Sequence, residues 1–514
     1  MPEKQAITPK KRGLFNRFLN IVEKTGNALP HPATLFLILA LLALAFSWLA
    51  SILGAEAVNP ATAELIKPNN LLSRDGLHYI LDSMVTNFTD FAPLGIVLVA
   101  MLGIGVAESS GLIGALIRML VLSAPKKLLT FVIVISGILS NTASDIGYVL
   151  LIPLAGVIFN AVGRHPVAGM AAAFAGVSGG FSANLILGTI DPLLAGLSTE
   201  AAEIIEPGYV VNPTANYYFM VVSTFFIAFA GTFVTERIIE PRLGRYKNKE
   251  TDEETRIERL TKKEKRGLRY ALITSLILTA VILVGLFREN GFLQPVNGNL
   301  LESPLIKDVV AFLFIIAGLT GIAYGFGSGK FKNDTDVMNG MRDAIKTLSM
   351  YIVLVFFAAQ FVAYFKESNL GIILAINGAE LISSSGIGLI PLMILFIILS
   401  ASINMLMGSA SAKWAILAPV FIPMFMLMGY SPELSQVVYR IGDSVTNIIS
   451  PMMSFFALII AYFQKYDSKS GIGTIVATML PYSIVFFIVW TLLLIAWLYL
   501  GIPLGPEAGI YYHG

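Results

Sequence analysis

Several stretches of this chain run for 18 to 28 residues almost without charge. That is the length a helix needs to cross the hydrocarbon core of a bilayer. Inside a bilayer each backbone N–H and C=O must be satisfied within the protein, so such stretches fold as helices. Of the 514 residues, 56% are hydrophobic and 13% charged; soluble domains carry roughly 25% charged residues. An ordinary soluble enzyme, a disordered protein and a nucleic-acid binder are excluded. Formal net charge is +2, so bulk charge draws no polyanion. There is no cysteine, hence no disulfide, thiolate metal site or cysteine nucleophile. His31, His78, His165 and His513 all lie away from span centres, so no histidine metal cluster is expected in the membrane. No GxxxxGKS loop is present, so ATP is not the expected energy source, and no cofactor is expected.

Nine crossings are expected, at about 33–53, 92–108, 166–187, 215–236, 268–287, 307–328, 345–366, 433–463 and 473–500. Two apolar stretches remain, 128–160 and 390–428, each interrupted near its middle by Ser, Asn and Gly. Two half-length helices around a polar tip suit a re-entrant hairpin, which survives at membrane depth only when buried in protein or facing a watery cavity. The fold class expected is therefore an all-α polytopic membrane protein with about nine transmembrane helices and two re-entrant hairpins. The polar residues 1–32 read as a retained cytoplasmic tail, since no signal-peptide pattern follows Lys4, Lys10, Lys11, Arg12, Arg17 and Lys24. Segment 237–269 carries twelve Lys/Arg, whereas 188–214 carries none and has Asp191, Glu200, Glu203 and Glu206. By the positive-inside rule the first is cytoplasmic and the second external, with the N-terminus inside and 501–514 an external tail.

The two halves echo each other at an offset of about 266 residues. Pro153 closes SDIGYVLLIP and Pro419 closes SAKWAILAP; Asn184 in SGGFSANLI stands opposite Asn447 in IGDSVTNII. The expected units are 33–236, with a hairpin at 128–160, and 307–500, with a hairpin at 390–428; a linker over 237–306 separates them. Five crossings lie between the hairpins, an odd number, so the repeats are inverted. Inverted repeats with discontinuous helices are a mark of secondary transporters, whose sites lie near the midplane where the breaks meet.

Charged residues inside spans are costly and read first as functional. Here they are Asp145, Lys413, Arg440 and Asp443, with Asp191 beside a broken span. Arg440 and Asp443 share a helical face at i, i+3; Arg440 offers a planar fork for a carboxylate or sulfonyl group, with Asp443 to balance it. Asp191 suits a proton or cation site, because removing a carboxylate from water raises its pKa. Asp145 serves equally as an N-cap of the second half-helix. Ser140, Asn141, Thr142 and Asn184, with Asn447 in the second repeat, offer neutral oxygens at helix breaks; sodium near Asn141 is one reading, satisfaction of orphan backbone groups the other. The second tip, Gly408 to Ser411, has no Asn. Lys413 reads either as a counter-charge to Asp443 or as a substrate contact.

NALPHPATLF at 28–37, SNTASD at 140–145, Asp191-Pro192, SASAKW and YRIGDSVTNIISP at 439–451 resemble the AbgT family of p-aminobenzoyl-glutamate transporters and antimetabolite exporters, over nearly the whole chain. The resemblance implies a homodimeric transporter of the bacterial inner membrane that moves p-aminobenzoyl-glutamate or exports p-aminobenzoate-like compounds, including sulfonamides, with sodium or protons as coupling ion. The family's functional positions fall on Asp191, Ser411, Trp414, Pro432, Arg440, Asp443 and Pro451. Trp414 would stack on an aromatic ring, and the two prolines would shape the site. A sodium-coupled importer of small dicarboxylates is the alternative. An intramembrane aspartyl protease, for which IGDS is a poor match to GxGD, and a channel are remote ones.

Overall fold

The computed structural model describes residues 30–58, 63–142, 146–244, 246, 260–295 and 303–512. It is built almost wholly of helices, with one pair of two-residue antiparallel strands, Ala57 opposite Ile66. Among the described residues eight helices are long and apolar enough to cross a membrane, or nine if the bent pair Leu112–Leu122 and Lys126–Ser140 counts as one span.

Two hairpins and two broken helices form the centre. Hairpin 1 is Lys126–Ser140 and Gly147–Ala161, followed by broken helix 1, Pro166–Gly179 and Ile190–Ala202. Hairpin 2 is Leu389–Asn404 and Ala410–Leu427, followed by broken helix 2, Pro432–Asn447 and Phe456–Tyr466. A long helix closes each set, Tyr217–Leu243 and Ile472–Leu500. The same element order thus occurs twice. The expected spans 166–187 and 433–463 extend further than hydropathy showed, to 202 and 466. Each half-helix is too short, and Pro432–Asn447 too polar, to register as a span.

Local chemistry sets the starts. Ser409 caps the second half of hairpin 2 by accepting the Ala412 N–H, and Ser431 caps broken helix 2 by accepting that of Leu434, with Pro432 in the first turn. Wide, π-helical turns occur at Gly147–Leu151 and Ala175–Gly179, beside the two discontinuities of the first repeat; such turns recur at functional sites.

Four helices were not expected: Arg74–Thr89, Leu112–Leu122, Asp334–Thr347 and Leu370–Ser384. The first and third are too polar for a hydropathy window. Asp334–Thr347 packs through Ala344 against Gly105, where a Cβ would lie 2.2 Å from the Ala344 methyl.

Polar contacts divide between two faces. On one, Lys366 meets Glu203 at 3.2 Å, Tyr512 donates to Glu206 at 2.7 Å and Asn212 to the Ile306 carbonyl at 3.0 Å. Hairpin 2 ends at this face, where Tyr430 bridges Tyr511. On the other, Arg164 binds Glu240 at 2.6 Å and Thr130 at 2.8 Å, Arg118 binds Glu264, and Arg266 donates to the Gly327 carbonyl at 2.6 Å. Hairpin 1 ends here. The hairpins therefore enter from opposite faces, as inverted repeats require.

Candidate functional site

Each hairpin tip meets the break of the helix that follows it. A Cβ on Gly188 would lie 2.8 Å from the Asn141 carbonyl oxygen; one on Gly408 would lie 2.4 Å from that of Met452. The breaks in turn meet each other, since Ser182 of broken helix 1 donates its N–H to Ser444 Oγ of broken helix 2 at 3.1 Å.

Two buried ion pairs sit at this junction. Arg440 Nη2 stands 2.7 Å from Asp191 Oδ1, with side chains 3% and 1% exposed. Asp191 lies in the first turn of its half-helix, and its other oxygen accepts the Gly188 N–H at 2.6 Å. It is therefore a central residue, not one of an outer loop. Lys413 Nζ pairs with Asp443 and also donates to Asn404 Oδ1. Arg440 and Asp443 share a face, yet each takes its opposite charge from another element. The structure places Lys413 as the counter-charge of Asp443.

Asn404 takes up the role that sequence reading gave to no residue of hairpin 2. It is fully buried and donates to the Asp443 carbonyl at 2.7 Å, Thr446 Oγ1 at 2.9 Å and Asn447 Oδ1 at 2.9 Å. The signal was available: Asn141 and Asn184 are 43 apart (184 − 141), and so are Asn404 and Asn447 (447 − 404). In the first repeat Asn184 donates to Thr142 at 3.3 Å, while its Oδ1 accepts the Leu185 N–H at 2.9 Å. Ser140 turns its hydroxyl onto the Gly137 carbonyl at 2.6 Å. Asp145 lies outside the described residues.

Trp414 is fully buried and stacks on Tyr439, centroids 4.5 Å apart at 25°. Its indole N–H donates to Ser198 Oγ at 3.0 Å, and Ser198 donates to Gln436 at 2.7 Å. Gln436 donates to Asn216 at 2.8 Å, and Asn216 to the Glu433 carbonyl at 3.0 Å. Tyr209 donates to the buried Glu433 carboxylate at 3.1 Å; burial and that carboxylate push the Tyr209 phenol well above its usual range, which keeps it a donor. Sequence reading missed this chain because Glu433 stands at a span end and the rest are neutral. Ser411 sits half-buried at the tip, 3.3 Å from Ser409 Oγ, and Pro451 lies inside the break of broken helix 2.

A cavity of about 10 Å³ borders Arg440, lined in part by Ser182, Asn216, Phe219 and Trp490. That is room for about one water. Arg440 Nε and Nη1 have no hydrogen-bond partner among the described residues. The arrangement is closed around an Arg with donor capacity to spare. No three His, Asp or Glu side chains among the described residues gather closely enough to hold a metal ion.

A model of the AbgT putative transporter family matches residues 17–512. The chain belongs to the AbgT family. A p-aminobenzoyl-glutamate transport protein of Escherichia coli K12 is 38% identical over 491 residues, 95% of this chain and 96% of that one. Among solved structures, the YdaH transporter of Alcanivorax borkumensis is similar with TM-score 0.88 and 45% identity, covering 93% of this chain and 100% of that chain. MtrF of Neisseria gonorrhoeae, of a class of antimetabolite efflux pumps, is similar with TM-score 0.91 and 49% identity, covering 96% and 100%. This AbgT-family chain is thus a multi-pass membrane transporter.

Proposed function

We propose that this AbgT-family chain is an ion-coupled secondary transporter of p-aminobenzoyl-glutamate or p-aminobenzoate-like compounds, sulfonamides among them, working as a homodimer in the bacterial inner membrane with its N-terminus cytoplasmic. The observation that carries the reading is the buried Arg440–Asp191 pair where the two breaks meet. A guanidinium prefers a bidentate carboxylate, and Asp191 holds it through one nitrogen only, without hydrogen-bond alignment. A carboxylate or sulfonyl group of the substrate takes over Arg440 when Asp191 lets go. A proton on Asp191 is the simplest release, because it removes the competing charge. Trp414, stacked on Tyr439, supplies aromatic surface on the two elements that also carry Lys413 and Arg440. Arg164, Lys366 and the other surface pairs serve the scaffold.

Sodium near Asn141 is the second reading, favoured by the tip of hairpin 1 packing on its break as hairpin 2 does. Against it, Asn184 Oδ1 is spent on its own backbone. The test is flux of labelled p-aminobenzoyl-glutamate and of a sulfonamide in proteoliposomes, with proton and sodium gradients imposed separately. Proton-driven flux that Asp191→Asn loses supports the first reading; sodium-driven flux that survives it supports the second. Flux of neither compound removes the substrate assignment.

A further inference from the structure

Among the described residues five charged side chains are buried: Asp191, Lys413, Glu433, Arg440 and Asp443. Four of them form the two central ion pairs. Glu433, 5% exposed, is left over, and no ion pair among the described residues includes it. Its carboxyl oxygens lie 3.1 and 3.2 Å from the Tyr209 hydroxyl. It stands in the first turn of broken helix 2, yet the next two N–H groups of that turn go to Ser431, that of Leu434 to its hydroxyl at 3.1 Å and that of Ser435 to its carbonyl at 3.2 Å. The titratable groups on the elements around it are Tyr209 and Glu206 of segment 203–216, Tyr512 of the C-terminal segment and Tyr430 at the base of hairpin 2, and none is a cation. Arg440, two turns further along the same face, is held by Asp191. A buried charge without a partner is costly, whereas the neutral acid needs only hydrogen bonds. With a proton on one oxygen, the other still accepts the Tyr209 hydroxyl.

The C-terminal segment covers this residue. Ser431 donates its N–H to the Ile510 carbonyl at 3.0 Å and its hydroxyl to that of Gly509 at 2.7 Å, and Tyr512 donates its N–H to the Gly429 carbonyl at 2.9 Å. The Tyr512 ring meets Tyr209 edge-on, centroids 6.0 Å apart, and its hydroxyl donates to the half-buried Glu206. Residues 509–512 thus strap the start of broken helix 2 on the face that is external by the positive-inside rule. A few hydrogen bonds near a chain end are the part of a fold most readily lifted. From Glu433 a polar path leads inward: Asn216 donates to its backbone carbonyl, accepts from Gln436 and lines the cavity at Arg440.

We propose that Glu433 is a proton-binding site of the external gate: it holds a proton while residues 509–512 cover it and gives that proton to water when they lift. The carboxyl O–H bond breaks, water takes the proton and a hydrated carboxylate remains; external acid reverses the step and closes the gate. The inference rests on membership of a transporter family, whose working cycle opens this face, and is independent of which ion is coupled.

Because a proton leaves on opening, raising the pH favours the open and the unfolded forms over the covered one. Glu433→Gln resembles the neutral acid and is indifferent to pH. The first measurement is thermal unfolding of purified wild type and Glu433→Gln in detergent at about pH 5.5 and about pH 8, both above the usual carboxylate range. The midpoint of Glu433→Gln relative to wild type is expected to rise with pH. A difference that stays constant, or moves the other way, overturns the proposal. Glu433→Met carries the same comparison should the glutamine variant fail to fold. The second measurement uses Ser435→Cys, 1% exposed and one turn inward of Ser431. Its labelling by an external, membrane-impermeant thiol reagent, normalised to the exposed Ser385→Cys, is expected to increase about fivefold or more over that pH range. Labelling is expected to stay flat in Ser435→Cys/Glu433→Gln. Equal pH profiles with and without Glu433, or no labelling at any pH, would remove the gate.

Discussion

Arg440 and Asp443 stand three residues apart on one helix, and the sequence invites them to pair. They do not, because each finds a better-buried partner on another element: Asp191 of broken helix 1 and Lys413 of hairpin 2. A buried pair is weak evidence for stability, since desolvation offsets most of the attraction, but removing one partner strands the other charge at a cost of about 3–5 kcal/mol. Arg440→Ala is therefore expected to abolish flux and lower the unfolding midpoint. The double variant Arg440→Gln/Asp191→Asn is expected to recover most of the stability and none of the flux, read by thermal unfolding beside proteoliposome uptake. A double variant as unstable as the single one would mean that charge neutralisation is not what the pair provides. Trp414→Ala is expected to fold with a loss of about 3–5 kcal/mol, as for other buried aromatic truncations, and to lose transport. Wild-type flux in Trp414→Ala would remove the aromatic surface from the site.

At the scale of elements, function rests on how closely tips and breaks approach. Gly188 and Gly408 touch backbone oxygens of Asn141 and Met452, and backbone cannot swing aside as a side chain can. A methyl at either position wedges a tip from its break and costs about 1–3 kcal/mol, as other overpacked sites do. Gly188→Ala and Gly408→Ala are each expected to leave a folded protein with strongly reduced flux; unchanged flux in both would detach the tips from the mechanism. The hairpins were legible in the sequence because Ser, Asn and Gly interrupt otherwise apolar runs. Their partners, the outer halves of the broken helices, were not, because helices of 11 to 13 residues carry too little hydropathy to stand out. Asp191 was legible as a charge, but its burial depended on those hidden halves. Asn404 was visible only as a spacing.

For the whole molecule, the two sets of surface contacts assign hairpin 1 and hairpin 2 to opposite faces. The natural chain has no cysteine, so single cysteines report sidedness directly. Lys127→Cys and Ser385→Cys, both at exposed positions near the hairpin bases, are expected to react with a membrane-impermeant thiol reagent from opposite sides of the membrane, Lys127 from the cytoplasm. Labelling of both from one side would contradict the inversion. The inversion is legible in the sequence because parity needs only the number of crossings between the hairpins, which is odd. Hydropathy could not say that four further helices buttress the core, since Arg74–Thr89 and Asp334–Thr347 are polar and Leu112–Leu122 and Leu370–Ser384 are apolar but short. Alternation between the two faces requires the closed centre around Arg440 to open and Asp191 to yield to substrate. The most direct measurement is equilibrium binding of p-aminobenzoyl-glutamate to purified wild type, Asp191→Asn and Arg440→Ala. Asp191→Asn is expected to bind about tenfold or more tightly than wild type, with Arg440→Ala showing no binding, a tenfold change corresponding to about 1.4 kcal/mol. Unchanged affinity in both variants would contradict an Arg440 that passes between Asp191 and substrate.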